Sequence, residues 1–416
     1  MNKFVLLSLV LISIVLVSGC ISGVGIAFTP MDDSGVTVEG LNTVKQANNQ
    51  FAIDYYSKLN EQEDSNIFFS PYSISSALSM TYEGAKGQTA EEMANVFYFP
   101  NDDELRRSAY ARLYNQINKP NDDFKLSTAN ALWAQEDYHF EQDYFDVIDN
   151  YYGGKVTNMD FITKTEESRL TINNWVEEQT NDKIKDLIPV GILTSLTRLV
   201  LTNAIYFKGT WITQFDSKDT REQDFKVSSD KTVQADMMSL TEEDFSYAET
   251  DDLQILELPY EGEELSMLIL LPKEDLDQIE LTTDNLEQWS LDLREQEVNI
   301  YIPKFKFETK YMMVKDLIEM GMPSAFNPPS KPSGADFSGM TGIKDLYITA
   351  VIHQAFVEVN EEGTEAAAAT AVVMGRESAG PTIPLFRADH PFIFVIQQKE
   401  TGNILFIGRV IDPTLE

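Results

Sequence analysis

Cysteine and histidine are both scarce in this chain. Its 416 residues include one cysteine, Cys20, and three histidines, His139, His353 and His390. A single thiol excludes an internal disulfide. A Ser-His-Asp hydrolase needs a histidine within hydrogen-bonding reach of its nucleophile, and none of the three lies in a recognisable catalytic motif. Because the nucleophile elbow, the His-Glu-x-x-His zinc helix and the phosphate-binding loop are also missing, we expect no enzyme activity and no cofactor.

Basic residues are few compared with acidic ones. The chain has 32 Lys and Arg against 67 Asp and Glu, a formal net charge of −35. This balance excludes nucleic acid as a partner, because binding a polyanion requires basic contacts that release its counterions. Acidic pairs such as Asp32-Asp33 lack the spacing of a calcium loop, so no metal site is predicted. The charge is typical of a solvated surface around a substantial core.

The amino terminus carries an apolar run that is too short to span a bilayer. The run extends from Phe4 to Val17 after Lys3, whereas a membrane helix needs roughly 20 residues. Val17-Ser18-Gly19-Cys20 at its end resembles the lipobox of prokaryotic lipoproteins, which implies a signal peptide over residues 1–20 and a lipid on Cys20. Residues 21–42 read as a flexible tether. We expect an exported protein that is anchored to the outer face of a membrane by this lipid, or is extracellular.

Helical patterns dominate the first half of the remaining chain, and strand patterns dominate the second half. Apolar residues recur at helical spacing around Phe51, after Pro71 and from Glu166 to Thr180. Strands are expected at Leu199 to Phe207, Leu253 to Leu258, Leu265 to Leu271, Val298 to Phe307 and Leu346 to Val359, with a hairpin of Phe392 to Gln398 and Asn403 to Val410. No repeat is visible. The prediction is one α+β domain over residues 43–416.

The stretch EEGTEAAAATAVVMGRES, residues 361–378, is ambiguous when it is taken alone. Its alanines are strong helix formers, and Thr364 could cap a helix. Its valines favour extended chain. An alanine-rich surface helix is therefore one interpretation, and a strand is the other.

Four stretches together resemble the serpin family of serine protease inhibitors. They are NIFFSPYSISSAL (66–78), TNAIYFKGTW (202–211), EEGTEAAAAT (361–370) and HPFIF (390–394), and the resemblance covers about residues 43–413. It implies the serpin fold, with three β-sheets (A, B and C), about nine helices and an exposed reactive loop at about 361–385. It also implies a monomer whose partner is a target serine protease, held as a covalent acyl complex.

The resemblance implies a suicide-substrate mechanism for inhibiting extracytoplasmic serine proteases. After a protease cuts the loop, the segment before the cut would enter sheet A as a new strand. Strand side chains alternate between faces, so Thr364, Ala366, Ala368 and Thr370 would turn inward, and all are small and uncharged. Gly363 lies where the chain must bend. The alternatives are a non-inhibitory binding lipoprotein with this fold, or an inhibitor of a cysteine protease.

The remaining site residues also follow from the resemblance. Ser70, Ser73, Asn203 and His353 match the family's shutter, a polar cluster beneath the centre of sheet A. Glu361, at the start of the hinge, is expected to pair with Lys304 near Trp211, in a region called the breach, and to gate entry of the loop.

Two positions are open for the bond that a protease would cut. The usual family spacing from Glu361 places it between Glu377 and Ser378, which implies a protease that accepts acidic side chains. A hinge one residue shorter places it between Arg376 and Glu377, and a trypsin-like target follows. One narrow specificity pocket cannot suit both.

Overall fold

The computed structural model describes residues 28–121, 123–364 and 383–415. Helices in these ranges are Val38–Asn60 (α1), Pro71–Tyr82 (α2), Gly87–Phe97 (α3), Asp103–Asn118 (α4), Gln142–Tyr151 (α5), Thr165–Gln179 (α6), Thr283–Asp292 (α7), Val314–Glu319 (α8) and Ser338–Thr341 (α9). Short 3-10 turns occur at Leu276–Gln278 and Ser324–Phe326. None of the helices described has the length and apolar character needed to cross a membrane.

The strands in the same ranges are Ile67–Phe69 (β1), Phe124–Gln135 (β2), Lys155–Met159 (β3), Leu199–Thr210 (β4), Arg221–Lys226 (β5), Thr232–Glu249 (β6), Leu253–Pro259 (β7), Leu265–Pro272 (β8), Arg294–Pro303 (β9), Phe305–Met312 (β10), Ile352–Asn360 (β11), Gly363–Thr364 (β12), Leu385–Arg387 (β13), Phe392–Gln398 (β14) and Ile404–Val410 (β15). The helices after Pro71 and from Glu166 and the terminal hairpin are confirmed within one or two residues. The chain is α+β, as predicted.

The first long helix begins inside the segment that the sequence assigns to the tether. Helix α1 starts at Val38, and the Thr37 hydroxyl caps it by accepting a hydrogen bond from the Gly40 amide at 2.9 Å. Upstream of the helix, the Met31 amide donates to Asn115 at 2.7 Å, and Asp33 pairs with Arg112 at 2.6 Å. Contacts with the folded domain therefore begin before residue 43.

Helix α2 is buried and nevertheless rich in serine. Pro71 occupies its first turn, and the Ser70 side chain caps it by accepting from the Ser73 amide at 3.1 Å. Ser75 bonds the Tyr110 hydroxyl at 2.8 Å, and Ser79 bonds the Tyr152 hydroxyl at 3.0 Å. Because small side chains allow close packing and their hydroxyls have partners, this helix can lie directly under a sheet.

A six-stranded sheet, in the order β10-β11-β12-β4-β2-β3, corresponds to sheet A of the resemblance. Strands β4 and β2 pair antiparallel from Gly209 opposite Phe124 to Leu199 opposite Ala134. Strand β11 pairs with β10, with His353 opposite Tyr311. The two-residue strand β12 lies between β11 and β4.

The other strands form one hydrogen-bonded network that bends at the long strand β6. Its order is β1-β15-β14-β8-β7-β6-β9-β13, with β5 also paired to β6. The first six residues of β6 pair with β5, residues 237–247 pair with β9, and the last four residues pair with β7. The network thus contains sheets B and C, joined through β6, and the three-sheet architecture is confirmed. Phe207 of sheet A meets Phe406 of sheet B at 6.1 Å between ring centroids, within the core between the two sheets.

Two strand predictions are wrong at their boundaries, and a third, from Leu199, ends at Phe207, three residues before the end of β4 at Thr210. The predicted strand from Val298 to Phe307 is two strands, because Pro303 has no amide hydrogen to continue the ladder and the chain passes there from sheet C to sheet A. The predicted strand from Leu346 begins only at Ile352. Before it, the Ile348 amide donates to the Ala325 carbonyl at 2.9 Å, so this segment is bonded to a turn outside the sheet.

Candidate functional site

The start of the predicted hinge is a strand of the six-stranded sheet. Thr364 lies opposite Gly209 of β4 on one side and opposite Val359 of β11 on the other. Gly363 pairs in the same way with Thr210 and Asn360. Thr364 is 3% exposed. The chain therefore enters the sheet at the hinge, in extended form, and the helix interpretation does not hold for these two residues.

Gly363 occupies a position that has no room for a side chain. A Cβ atom built on it would lie 2.0 Å from the Gly209 carbonyl oxygen, and its φ is +157°. A contact this short with backbone cannot be relieved by rotating a side chain. The requirement for glycine at this point is therefore steric.

The Thr364 side chain is held by a tyrosine from the other sheet network. Its Oγ1 lies 2.7 Å from the Tyr260 hydroxyl, and both groups are buried. The Tyr260 ring stacks on Trp211, with 4.5 Å between centroids, and meets Phe207 edge-on at 4.9 Å. Burial raises the pKa of the Tyr260 phenol well above its ordinary value, so the hydroxyl stays protonated.

Tyr260 is absent from the residues predicted from the sequence. It follows β7 directly, and its pairing with Trp211 is an isolated bridge. Its partner Thr364 is 104 residues further along the chain. A pattern within a short stretch of sequence cannot predict a contact between residues this far apart in the chain. The one available signal is an aromatic residue between Pro259 and the turn at Gly262.

The residues assigned to the breach lie together at the end of β11. A Glu361 carboxylate oxygen is 3.0 Å from Lys304 Nζ, and the other accepts from the Thr220 hydroxyl at 2.8 Å. Trp211 Nε1 donates to the Asn360 carbonyl at 3.1 Å. Burial opposes ionisation of Glu361. Hydrogen bonds from its own backbone amide, Lys304 and Thr220 outweigh burial, however, and lower the pKa of the carboxyl.

Ser70, Ser73 and His353, which were predicted as shutter residues, make a hydrogen-bonded cluster at β11. The Ser70 amide donates to His353 Nε2 at 3.0 Å, and the Ser70 hydroxyl donates to the Leu405 carbonyl at 2.6 Å. The same hydroxyl oxygen accepts from the Ser73 amide, as the cap of α2. Asn203 lies in β4 opposite Asn130 of β2. The cluster therefore connects β11 to α2 and to β15.

His353 must be neutral in this arrangement. Its Nε2 accepts a hydrogen bond from an amide, so this nitrogen carries a lone pair. The ring is 2% exposed, and burial lowers its pKa to about 3. Protonation would place an N–H against the Ser70 N–H, and the contact would be lost.

Two cavities lie along the line between β4 and the chain leading into β11. One, of about 90 Å³, is lined by residues that include Leu199, Leu201, Ile348 and Ile352. The second, of about 40 Å³, is lined by Leu201, Val351 and His353, with Ile74 and Leu78 of α2. Both continue the path on which β12 enters the sheet.

Several predicted residues lie outside the described ranges. They are Ala366, Ala368 and Thr370 of the hinge, Arg376, Glu377 and Ser378 at the candidate reactive bonds, and Cys20 at the predicted lipidation site. In the part of the chain that is described, no group of three or more His, Cys, Asp or Glu side chains could hold a metal ion.

Comparison with known proteins decides the family. The family model for serpins (serine protease inhibitors) matches residues 46–413. The chain belongs to the serpin family. An uncharacterised serpin-like protein of Methanosarcina acetivorans is 42% identical over 431 residues, with 100% of each chain covered. Human Serpin B3 is 41% identical, with 90% of this chain and 100% of the human protein covered.

Solved serpin structures agree with the fold. Uncleaved ovalbumin matches with a TM-score of 0.79 at 32% identity, covering 89% of this chain and 100% of ovalbumin. Family membership supports a protease inhibitor of the serpin type. In this serpin, the described residues that were predicted to form the hinge, breach and shutter lie along the line on which β12 enters sheet A.

Proposed function

We propose that this serpin is a suicide-substrate inhibitor of extracytoplasmic serine proteases. The observation that carries the proposal is strand β12, because Gly363 and Thr364 already pair with β11 and β4. Cutting the loop would free the following residues to extend this strand. An extended segment that joins an open sheet gains main-chain hydrogen bonds along its length.

The register of β12 assigns a neighbour to each later loop residue. Each step forward in the loop is one step back in both β4 and β11, because the pairings are antiparallel. Six steps after Thr364, Thr370 would lie opposite residues 203 and 353 of the shutter. Eight steps after it, Val372 would lie opposite Leu201 and Val351, beside the two cavities. Val372, on the same face as Thr364, would then cover apolar lining.

Alternation of side chains supports the same conclusion. Residues 366, 368 and 370 would turn to the same face as buried Thr364, and they are alanine, alanine and threonine. Glu365 would turn to the opposite face. A large or charged residue on the inner face would oppose insertion by overpacking or by burying an unpaired charge.

The chemical step belongs to the protease. Its serine Oγ attacks the carbonyl carbon of the residue before the cut, the C–N bond breaks, and the departing amine takes the proton that the protease base removed from the serine. The ester that remains links the two proteins. Insertion of the cut loop into sheet A would move the attached protease along with the loop before water hydrolyses this ester.

The reactive bond is proposed to join Glu377 and Ser378, thirteen residues beyond Thr364 (364 to 377). The alternative bond, Arg376 to Glu377, predicts a trypsin-like target. Sequencing the new amino terminus after protease attack distinguishes the two, because it begins at Ser378 in the first case and at Glu377 in the second.

We also propose that the protein is exported and anchored through a lipid on Cys20. The lipobox-like sequence that ends the apolar run supports this assignment. Intact-mass spectrometry of the mature amino terminus tests it, since a lipidated protein begins at Cys20 and carries the added acyl mass. A mature chain with an unmodified cysteine would contradict it.

A protease panel tests the inhibitory function. Incubation followed by denaturing electrophoresis should show a covalent band with at least one serine protease. Thr364→Arg should be cut without trapping, because the residue is 3% exposed and faces the Tyr260 hydroxyl. The matched control, Glu365→Arg, places the same charge on the opposite face and should still trap. If every protease cuts the loop, none is trapped and cleavage leaves the thermal stability unchanged, the non-inhibitory alternative is correct.

A further inference from the structure

The insertion mechanism alone does not require the contact between Tyr260 and Thr364. We propose that Tyr260 is a positioning residue that holds the hinge in sheet A before the loop is cut, so that insertion extends a strand that already exists. The proposal rests on the proposed inhibitory function for its kinetic consequence, and on the described residues for its geometry.

The Tyr260 ring is fixed independently of the hinge. Trp211 stacks on the ring, Phe207 packs against it at an interplanar angle of 81°, and the residue is 0% exposed. The Tyr260 amide donates to the Leu265 carbonyl at 3.0 Å, and the Ile212 amide donates to the Pro259 carbonyl at 3.1 Å. Because neighbouring backbone and rings fix the tyrosine from several sides, its hydroxyl is a stationary partner for an arriving side chain.

Gly209 provides the space in which this ring reaches the strand. A Cβ atom on Gly209 would lie 2.6 Å from both the Tyr260 and the Phe207 rings. Gly209 is also the residue opposite Thr364. The hydroxyl therefore meets the hinge at the place where the new strand begins, under a position of β4 that lacks a side chain.

The space between β11 and β4 fits Gly363-Thr364 in the observed register, and it does not fit the same chain shifted by one or two residues. Position 363 admits no Cβ, and no other residue from 359 to 374 is glycine. A shift by two residues would in addition bring Ala366 or Glu362 to the Tyr260 hydroxyl. The alanine would leave a buried phenol unpaired, and the glutamate would bury a carboxylate. Sterics thus exclude wrong registers, and the hydrogen bond stabilises the right one.

A docked hinge changes the competition that follows acylation. Insertion must be faster than hydrolysis of the ester, and its first step is the unfavourable one, because ordering the first residues yields few hydrogen bonds. Because β12 is already formed in the uncut protein, the first residues are ordered before the protease serine attacks the loop. Loss of the Tyr260 hydroxyl should therefore release the hinge in the uncut protein and increase the share of inhibitor that is cut without trapping.

Hydrogen exchange of the uncut protein tests the docking directly. In Tyr260→Phe, which keeps the stacked ring, and in Thr364→Val, a peptide spanning residues 359–366 should exchange about two- to tenfold faster than in the wild type, as expected for the loss of one hydrogen bond. Thr364→Ser retains the hydroxyl and should behave like the wild type. The control, Tyr247→Phe, removes a hydroxyl that bonds Glu249 at 2.9 Å in β6 and should also leave this peptide unchanged.

The number of inhibitor molecules consumed per trapped protease tests the consequence. It should rise in Tyr260→Phe and Thr364→Val and stay at the wild-type value in Thr364→Ser, while the rate of the initial encounter is not reduced. Equal exchange in all five proteins would overturn the docking role, even if trapping is observed. If exchange differs as expected but no protease is trapped by the wild type, docking is supported and the inhibitory function fails. Faster exchange with unchanged consumption would show that docking does not assist insertion, which overturns the proposal.

Discussion

Lowering the pH from 7 to 5 should destabilise this serpin through His353. In the folded protein the ring is buried and accepts a hydrogen bond from the Ser70 amide, and its pKa is lowered to about 3. In the unfolded chain the pKa is about 6.5. The unfolded chain therefore takes up a proton below pH 6.5, whereas the folded protein does so only near pH 3. The free energy of unfolding falls through this interval, and the stability is fully present above it.

The size of the effect follows from these two values. Between pH 7 and pH 5 the difference in proton binding at a single such histidine lowers the free energy of unfolding by about 2 kcal/mol. Other groups titrate in the same range, so the comparison requires a reference that lacks only this titration. His353→Gln is suitable, because its Oε1 can accept the Ser70 amide bond in place of Nε2 and does not ionise.

Urea unfolding of both proteins at the two pH values provides the measurement. The wild type should lose about 2 kcal/mol more than His353→Gln on going from pH 7 to pH 5. An equal loss in the two proteins would refute the reasoning, because His353 would then not be a buried, neutral acceptor. The result also bears on function, since protonation would break a contact that joins β11 of sheet A to α2.

Three further predictions concern the loop and its anchors. Gly363→Ala should abolish trapping, because the added Cβ would lie 2.0 Å from the Gly209 carbonyl, whereas Gly35→Ala, with its nearest neighbouring atom at 3.5 Å, should trap normally; gel assays of both variants decide this. Glu361→Gln should weaken the pairing with Lys304 and change the free energy of unfolding of the uncut protein by no more than about 1 kcal/mol, since Lys304 is partly exposed. An unchanged rate of loop insertion in this variant would argue against a gating role for Glu361. Burial of His390 opposes its protonation, but its bonds with Asp389 and the Pro272 carbonyl outweigh burial and raise its pKa. The stability that the protonated ring adds to the folded protein is complete below pH 6.5 and is lost as the pH rises through the raised pKa. His390→Gln should therefore lower the melting temperature at pH 6 more than at pH 9.

The resemblance of the stretch from Glu361 to Thr370 to the serpin family predicted the hinge residues, because the family pattern lies within one short segment. The expected pairing of Lys304 with Glu361 is present in the structure. Tyr260 could not be found in this way, because its contacts are with a side chain 104 residues away and with two rings from another strand and its end. Likewise, the early start of α1 was missed because Val38 is 80% exposed and leaves no apolar pattern in the first turn.

The boundaries of the strands depended on tertiary structure. Apolar residues occur on both sides of Pro303, at Val298, Ile300 and Ile302 and again at Phe305 and Phe307. The partner strand nevertheless changes at Pro303, from β6 to β11. Alternation predicts that a residue is in a strand, but it does not report which sheet the strand joins. For the same reason, the residues before Ile352 were predicted as strand, although they bond to a turn.

The most direct test of trapping by loop insertion is the denatured mass of the product formed with a susceptible serine protease. The account predicts one covalent species, in which the protease is joined by an ester to the serpin chain ending at Glu377, together with a separate fragment that begins at Ser378. A mixture of cut serpin and free, unmodified protease for every protease tested would contradict it.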